Sequence, residues 1–380
     1  MDRVAKGLAI LGSTGSVGTQ TLDVVRAFPN DFRVVGLAAR TSRELLGAQV
    51  REFRPELVFC EGTDEEKAAV SSDGCRQVSL EEMVCHPNVD LVVTATAGDV
   101  AVAPTFAAMR AGKDVALANK ETVIMAGEMV ASHVKKHGVS LLPMDSEPNA
   151  IFQCLRGENK QVSRLFITAS GGAFRDTPLD VLAQVTPEQA LKHPTWKMGP
   201  KITIDSATMM NKAFEVIEAH WLFDVPWENI EVVIHPQSVI HSMVEFADGS
   251  VKAQISPPDM HLPIQYALQF PDRLYNENIR RFDPVAIGAL TFEPWDSARY
   301  PCFDMALEIA KRGGTWSAAL CGADERAVEM FLGGRIGFLE IGTVIRKALN
   351  EHRNTTEPDL EDILAAAQWA KEQVRRVVEG

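Results

Sequence analysis

The stretch Leu8-Ala9-Ile10-Leu11-Gly12-Ser13-Thr14-Gly15-Ser16-Val17-Gly18 decides the fold of the N-terminal part of the chain. Its apolar start predicts a buried strand, and the pattern from about Ser16 to Phe28 predicts a helix. The glycines between them have GxxGxxG spacing, so the backbone can approach a pyrophosphate at the N-terminus of a helix. A tight turn without a ligand is the alternative. The residues expected to contact a dinucleotide are Gly12, Ser13, Thr14, Gly15, Ser16 and Val17.

Short apolar runs alternate with helical patterns up to about residue 145. Such runs are typical of a parallel sheet that is covered on both faces, and right-handed crossovers then give a doubly wound α/β domain. We therefore predict a Rossmann-like domain over residues 1–145. Its further strands are expected at Phe32 to Ala38, Leu57 to Cys60, Leu91 to Thr94, Asp114 to Ala118 and Val139 to Leu142.

The end of the second predicted strand indicates which dinucleotide binds. NAD-binding proteins usually place an acidic residue there, where it accepts a hydrogen bond from the ribose 2′-hydroxyl. This chain has Ala39-Arg40-Thr41-Ser42 instead, and a cation with two hydroxyls suits a 2′-phosphate. We predict NADPH, with Arg40 as a contact; a solvated surface arginine is the alternative.

Strand patterns change after residue 145. Longer, more alternating runs, and an Asp248-Gly249 hairpin signal, predict a central α+β domain over residues 146–275. Residues 276–300 are polar and contain proline, and we interpret them as a linker. Residues 301–380 have helical periodicity, which predicts a C-terminal α-helical domain.

Composition excludes several classes of protein. The chain has 380 residues with 38 Lys and Arg against 51 Asp and Glu, a net charge of −13, which disfavours nucleic-acid binding and docking on an anionic membrane. No apolar run is long enough to cross a bilayer, and no signal peptide pattern is visible. The 6 cysteines form no CxxC pair and are expected to be thiols. We predict a cytoplasmic protein.

Two acidic residues, Asp145 and Glu147, follow the last predicted strand of the first domain. On an extended segment, residues i and i+2 point the same way, and two neighbouring carboxylates repel each other unless a cation or proton lies between them. Oxygen ligands of this kind suit Mg²⁺ or Mn²⁺. The alternative is a solvated loop with two acids.

The segment from Ser206 to Glu218 predicts one helix capped near Asp205 or Ser206. Asn211, Glu215 and Glu218 fall on one face at i, i+4 and i+7, with Lys212 on the next ridge. Pattern alone favours an exposed polar face on an amphipathic helix.

Two further segments combine polar and flexible residues. Thr168 to Ala173 contains Ser170 and two glycines, and such a loop can bind an anion. His193 to Gly199 contains a titratable group, Trp196 and a glycine, which suits a closing flap. The alternatives are a helix C-cap for His193 and a packing role for Trp196. His235 and His241 lie in strand-like runs, where we expect structural roles.

Together these segments resemble the 1-deoxy-D-xylulose 5-phosphate reductoisomerase family over essentially the whole chain. The most specific matching runs are Ser206-Ala207-Thr208-Met209-Met210-Asn211-Lys212 and His235-Pro236-Gln237-Ser238-Val239-Ile240-His241-Ser242. Leu117-Ala118-Asn119-Lys120-Glu121 also matches, whereas Pro148 stands where many members have histidine.

The resemblance implies roles for individual residues. It assigns a divalent metal (Mg²⁺, Mn²⁺ or Co²⁺) to Asp145, Glu147 and Glu215, and it makes these three residues, Lys120 and His193 catalytic. Substrate contacts are expected from Lys120, Ser146, Glu147, Ser170, His193, Ser206, Asn211, Lys212 and Glu215. Cofactor contacts are expected from Asn119, Glu121 and Gly199 besides the glycine turn and Arg40. Trp196 and Met198 belong to the flap, and Met260 lies near the nicotinamide.

The resemblance also implies a reaction. A sugar phosphate, 1-deoxy-D-xylulose 5-phosphate, rearranges its skeleton by retro-aldol cleavage and re-addition, and NADPH then reduces the aldehyde to 2-C-methyl-D-erythritol 4-phosphate in the non-mevalonate isoprenoid pathway. A homodimer is implied. The alternatives are another NADPH-dependent reductase of a phosphorylated polyol or semialdehyde, and a catalytically silent NADPH or sugar-phosphate sensor.

Overall fold

The computed structural model describes residues 4–71, 74–159 and 161–380. The strands are β1 Lys6–Leu11, β2 Phe32–Ala38, β3 Leu57–Phe59, β4 Arg76–Gln77, β5 Leu91–Thr94, β6 Asp114–Leu117, β7 Leu141–Pro143, β8 Val162–Ala169, β9 Ile230–Ile234, β10 Ile240–Phe246 and β11 Val251–Ile255. The first helices are α1 Ser16–Ala27, α2 Arg43–Phe53, α3 Asp64–Val70, α4 Leu80–Val84, α5 Val102–Arg110, α6 Lys120–His137, α7 Ser146–Cys154 and α8 Pro187–Ala190. The remaining helices are α9 Pro200–Thr208, α10 Met210–Phe223, α11 His261–Gln269, α12 Pro284–Ile287, α13 Pro301–Ala310, α14 Trp316–Leu332, α15 Glu340–Leu349 and α16 Leu360–Glu379.

The first sheet has seven parallel strands in the order β4-β3-β2-β1-β5-β6-β7. Its central strand is fully buried from Leu8 to Leu11, as expected for a sheet with helices on both faces. Leu11 pairs with Ala38 on one side and with Thr94 on the other. The loops that follow β1, β2 and β5 therefore leave the sheet at the same edge. The predicted Rossmann-like architecture is confirmed.

The second sheet has four strands in the order β11-β10-β8-β9. β10 is antiparallel to both β11 and β8, whereas β8 and β9 are parallel, so the sheet is mixed. The hairpin between β10 and β11 turns at Asp248-Gly249, where Gly249 has φ +81°. The predicted hairpin and α+β architecture are confirmed.

The C-terminal residues are helical, as predicted. α14 packs against both α15 and α16. At the start of α16, the Asp359 side chain accepts a hydrogen bond from the Asp362 backbone N–H, and the Asp362 side chain accepts one from the Asp359 backbone N–H. This reciprocal cap fixes where the last helix begins.

Two compact units divide the chain. Of the described residues, the first unit contains those within 4–122, 128–149 and 259–280, and the second contains those within 123–127, 150–258 and 281–380. The predicted domain boundary at residue 275 differs from this division, because α11 packs against α1 of the Rossmann-like domain. That contact joins segments far apart in sequence, and local composition carries no sign of it.

The segment interpreted as a linker is tied to the second sheet. Ile234 and Glu293 exchange two backbone hydrogen bonds of 2.9 Å, and Nδ1 of His235 lies 2.8 Å from the Thr291 carbonyl oxygen. The segment also includes the short helix α12. Linker is therefore a poor description of this part of the segment, because Glu293 pairs with the end of β9 and Thr291 contacts the residue after it. The structural role expected for His235 agrees with its complete burial.

Across the described ranges, every helix is too short or too polar to cross a lipid bilayer.

Candidate active site

The glycine-rich turn between β1 and α1 is closely packed at two of its glycines. Gly12 has φ +86°, and a Cβ atom there would lie 2.6 Å from the Ala95 carbonyl oxygen. A Cβ atom on Gly18 would lie 2.1 Å from the Gly12 carbonyl oxygen. Both positions exclude a larger residue, and the exposed outer side of the turn is left for a ligand.

Ser13 has a structural role that the sequence did not reveal. Its hydroxyl donates to Oε1 of buried Gln49 over 2.8 Å, and the Gln49 amide donates back to the Ser13 carbonyl oxygen over 2.9 Å. Thr14 is half-buried, whereas Gly15 and Ser16 are exposed. No acidic residue lies in the first turn of α1, and Gly15 caps the helix without a side-chain hydrogen bond. The first N–H groups of α1 therefore suit an anion.

Arg40 lies at the same edge of the sheet, two residues beyond β2, and it is exposed. Ser42 caps α2 without a side-chain hydrogen bond to the helix. A cation and a hydroxyl thus follow β2, at the edge of the sheet from which the glycine turn also leaves.

Asn119 and Glu121 shape the loop after β5. The Asn119 amide donates to the carbonyl oxygens of Thr96 at 2.9 Å and Gly98 at 2.8 Å, and its oxygen accepts the Thr122 backbone N–H. Glu121 accepts the Gly98 backbone N–H over 3.2 Å. These side chains hold the loop facing the glycine turn, which Ala95 also contacts.

Asp145 and Lys120 form a nearly buried ion pair, with Nζ 2.5 Å from Oδ2. The expectation that Asp145 to Glu147 is extended is wrong, because α7 begins at Ser146 and places Glu147 in its first turn. The Ser146 hydroxyl donates to Glu147 over 2.6 Å. Pro148 is tolerated because first-turn N–H groups have no partner within the helix.

Carboxylate oxygens of Asp145, Glu147 and Glu215 lie within 4.8 Å of one another. Asp145 and Glu147 are half-buried, and Glu215 is only 1% exposed. Three acids this close repel each other strongly unless a cation or protons lie among them. An all-oxygen donor set of this kind fits a hard dication such as Mg²⁺.

The predicted single helix from Ser206 to Glu218 is wrong. The chain forms two helices, α9 and α10, with a break at Met209 where φ is +61°. Asp205 and Ser206 lie inside α9, so neither caps a helix. No glycine or proline marks this break, and Met209 is 2% exposed, so packing of its side chain accompanies the unusual backbone.

The polar face of α10 is buried, so the interpretation as a solvated face is wrong. Asn211, Lys212, Glu215 and Glu218 are each at most 9% exposed. The Asn211 amide donates to Oε1 of Glu215, and Lys212 Nζ donates to Oε2, both over 2.5 Å. Both carboxylate oxygens of Glu215 therefore accept hydrogen bonds from neighbours on its own helix.

Ser170 and His193 meet across the loop that follows β8. Nε2 of His193 lies 3.0 Å from the Ser170 hydroxyl. Nδ1 of His193 accepts the backbone N–H groups of Thr195 at 3.1 Å and Trp196 at 2.9 Å. An Nδ1 that accepts carries no proton, so the Nε2–H of neutral His193 donates to Ser170.

The glycines after Ser170 lie against α9. Gly172 has φ +71°, and a Cβ atom there would lie 2.4 Å from the Ser206 carbonyl oxygen. This contact sets the Ser170 loop beside the segment that carries Ser206. Tyr300 fixes the loop from another side, because its hydroxyl donates to the Gly171 carbonyl oxygen over 2.8 Å. Burial raises the pKa of Tyr300 to about 12, which keeps this donor protonated.

Sequence reasoning missed Gln49 and Tyr300, since neither belongs to a motif. Their role is visible only from contacts with residues 36 and 129 positions away in the chain.

The predicted flap runs from His193 into α9 with little regular structure. Trp196 is half-buried, with its ring centroid 6.0 Å from that of His241. Met198 is half-buried, and Gly199 is exposed immediately before α9. His241 is 4% exposed, in keeping with its expected structural role.

Met260 precedes α11 and belongs to the same compact unit as the glycine turn. Asp259 beside it accepts hydrogen bonds from the His261 backbone N–H at 2.9 Å and from Nδ1 at 2.6 Å. This bond fixes the start of α11.

Known families match most of the chain. The family model described as 1-deoxy-D-xylulose 5-phosphate reductoisomerase matches residues 8–127. The model of the C-terminal domain of the same enzyme matches residues 141–223, and a further model, DXP reductoisomerase C-terminal domain, matches residues 255–373.

Curated relatives match over nearly the full length. The 1-deoxy-D-xylulose 5-phosphate reductoisomerase of Caldanaerobacter subterraneus subsp. tengcongensis is 50% identical over 380 residues, which cover 98% of this chain and 99% of the relative. That of Crocosphaera subtropica is 49% identical over 390 residues, covering 99% of this chain and 97% of the relative.

Solved structures have the same fold. The reductoisomerase from Zymomonas mobilis in complex with NADPH is 38% identical with a TM-score of 0.91, covering 99% of this chain and 100% of that one. A DOX-P reductoisomerase in complex with NADPH, fosmidomycin and magnesium is 36% identical with a TM-score of 0.92, covering 98% of both chains.

Proposed function

The chain belongs to the 1-deoxy-D-xylulose 5-phosphate reductoisomerase family, and we propose that it isomerises and reduces 1-deoxy-D-xylulose 5-phosphate to 2-C-methyl-D-erythritol 4-phosphate. It uses NADPH and a divalent cation, in the non-mevalonate route to isoprenoid precursors. The observation that carries the proposal is the trio Asp145, Glu147 and Glu215, with buried Lys212 against one of its members. A simple NADPH-dependent reductase has no need of such a trio.

Asp145, Glu147 and Glu215 hold the cation, which is Mg²⁺ or, alternatively, Mn²⁺ or Co²⁺. When bound, the cation is a Lewis acid that stabilises negative charge on substrate oxygens. Lys120 supports this arrangement because its ion pair with Asp145 neutralises part of the acidic charge before any ligand arrives. Ser146 and Glu147 contact the backbone of the substrate.

The substrate phosphate is bound by Ser170, Ser206, Asn211 and Lys212, with His193 beside them. Supporting this, the hydroxyls of Ser170 and Ser206 belong to segments in direct contact, and Lys212 brings an ammonium group to the start of α10. A phosphate held at this point keeps the fragments of a carbon–carbon cleavage in place until they recombine.

NADPH is bound at the glycine turn, with Gly12 to Val17 around its pyrophosphate and Arg40 at its 2′-phosphate. The cofactor supplies the hydride, and the protein positions the cofactor and provides the electrostatic environment. Asn119 and Glu121 hold the loop that faces the turn, while Gly199 and Met260 are expected to border the cofactor. The free first turn of α1 supports this placement.

The flap closes over the substrate, with Trp196 and Met198 excluding water during the reaction. Its support is the composition of His193 to Gly199 and the half-buried state of both side chains. His193 links the flap to the phosphate loop through Ser170.

The organisation of the whole protein is proposed on the same family basis. Residues 1–145 bind NADPH, residues 146–275 carry the metal and substrate site, and residues 301–380 form the C-terminal helical domain. The chain forms homodimers, and edge strand β11 leaves Val251 and Ile255 exposed, as a pairing surface would. A cytoplasmic location is supported by six cysteines that are all thiols.

The deciding experiment follows NADPH absorbance at fixed enzyme concentration after addition of 1-deoxy-D-xylulose 5-phosphate. We expect oxidation of NADPH with Mg²⁺ and none after removal of the metal by a chelator. A steady NADPH signal with metal and substrate present would refute the proposal. Light scattering on the same sample tests the homodimer.

A further inference from the structure

A cavity of about 370 Å³ lies in the second compact unit, among α9, α13 and α15. Thr208 is the member of its lining nearest in sequence to the proposed phosphate site. The remaining lining residues come from 299–350, and the proposed mechanism uses none of them. The volume is at the lower end of the range for small-molecule sites.

The floor of this cavity is apolar. Cys302, Met305 and Phe338 line it, and each is at most 6% exposed in the folded chain. Burial raises the pKa of the Cys302 thiol to about 12, so the thiol stays neutral. Such a floor suits a hydrocarbon group and would desolvate a charged one at high cost.

The rim carries positive charge. Arg299, Arg346 and Lys347 line the cavity, and its lining includes no carboxylate. Arg299 is held by the carbonyl oxygens of Phe174 and Thr177, at 2.8 and 2.6 Å.

The other two cations, Arg346 and Lys347, form only weak ion pairs or none with the described carboxylates. Arg346 contacts Glu308 at 3.4 Å, and both of these side chains are more than half exposed. Lys347 is exposed, and in the part of the chain that the structure describes no carboxylate lies within 4.0 Å of it. In a chain of net charge −13, three cations around one apolar cavity indicate an anionic ligand.

We propose that this cavity binds a small amphipathic anion, with a short alkyl chain on the floor of Cys302, Met305 and Phe338. Its phosphate or carboxylate head group lies at the rim, between Arg346 and Lys347. The site is separate from the reductoisomerase site, and its occupancy requires no turnover.

Calorimetric titration of the full chain, saturated with NADPH, tests the proposal. The probes are octyl phosphate and octanoate, each below its critical micelle concentration, and they distinguish the two head groups. Inorganic phosphate lacks the chain and octyltrimethylammonium reverses the charge, so neither is expected to bind at this cavity. Binding of at least one octyl anion at one site per chain is the expected result.

Charge reversal locates the site. Lys347→Glu and Arg346→Glu are expected to weaken binding by about tenfold or more, the loss expected when an attractive charge becomes repulsive. Lys311→Glu alters an exposed lysine outside the lining and is expected to leave binding unchanged. Lys347→Gln should weaken binding less than Lys347→Glu.

Three results would overturn the proposal. They are no binding of either octyl anion, equal binding of octyltrimethylammonium, and affinities that the Lys347 and Arg346 substitutions leave unchanged.

Discussion

The Asn211 amide nitrogen and a carboxylate oxygen of Glu215, one helical turn apart, lie 2.5 Å from each other in the interior. Together with Lys212 on the second oxygen, this bond orients Glu215 before any metal arrives. Preorganisation of this kind lowers the cost of assembling a metal site.

Replacing Glu215 by glutamine tests its role as a ligand. The Glu215→Gln variant keeps the size of the side chain but removes its charge, so we expect loss of Mg²⁺-dependent turnover with NADPH affinity retained. Mn²⁺ binding measured by paramagnetic resonance and NADPH binding measured by fluorescence check the two parts. Glu228→Gln makes the same change at an exposed position and should behave as wild type. Undiminished turnover in Glu215→Gln would remove this residue from the metal set.

Removing the indole of the flap tests closure. In Trp196→Ala we expect a higher KM and a lower kcat, since covering a substrate with a large aromatic group contributes roughly 1.5–3 kcal/mol. Steady-state kinetics should therefore show about a 10- to 150-fold loss in kcat/KM. Trp227→Ala is the matched control, because Trp227 stacks on His220 outside the flap. Wild-type kinetics for Trp196→Ala would argue for a packing role alone.

Alanine substitutions at two glycines distinguish the cost of backbone strain from the cost of steric overlap. Gly172 and Gly157 have similar φ angles, +71° and +79°, but only at Gly172 does a Cβ atom meet a neighbour, the Ser206 carbonyl oxygen. Gly157→Ala should cost about 1 kcal/mol in unfolding free energy from its φ angle. Gly172→Ala should cost about 1–3 kcal/mol more from overlap, and it should also raise KM. Equal losses in denaturant unfolding would show that the Ser206 contact is unimportant.

The bond between His261 and Asp259 predicts a pH-dependent contribution to stability. Hydrogen bonding to Asp259 raises the pKa of His261, although burial opposes the shift, and the same bond lowers the pKa of Asp259. Asp23 faces His261 at 3.4 Å and Arg280 acts on Asp259. The His261 contribution is full below its unfolded pKa of about 6.5 and disappears as pH rises through the higher folded value. The Asp259 contribution is present above about pH 3.9 and disappears as pH falls through the lower folded value.

Thermal unfolding of wild type and His261→Gln as a function of pH measures this contribution. The difference should be about 1 kcal/mol near pH 5–6 and should decrease as pH rises through the folded pKa of His261. An Asp259→Asn background is expected to reduce the pH dependence of the difference and to leave the part that comes from Asp23. A difference that grows with rising pH would contradict the assignment.

Much of the fold could be predicted from local patterns. Strands β2 and β5 have the predicted bounds, because largely apolar runs between polar turns have few alternatives. The break at Met209 could not be predicted, since no glycine or proline signals it and packing fixes it. The burial of Asn211 and Glu215 was also invisible, because a polar helical face gives the same pattern whether water or protein covers it.

For the site, Asp145, Glu147 and the glycine turn could be singled out from residue type and spacing, whereas Glu215 was assigned to the metal only through the family resemblance. The supporting contacts of Gln49 and Tyr300 could not be predicted, since one glutamine or tyrosine among many carries no local signal. Prediction from sequence thus identified candidate ligand-binding groups more readily than the residues that position them.

The left-handed Met209 has a thermodynamic consequence for ligand binding. A non-glycine residue in this conformation costs roughly 1–2 kcal/mol, and burial of a methionine side chain returns about as much. A glycine would adopt the same backbone without that anchor, leaving α9 and α10 freer to pivot. Ser206 lies on α9 and Lys212 lies on α10. Because Met209 already restricts the motion of the two helices relative to each other, less entropy is lost when an anion binds to both.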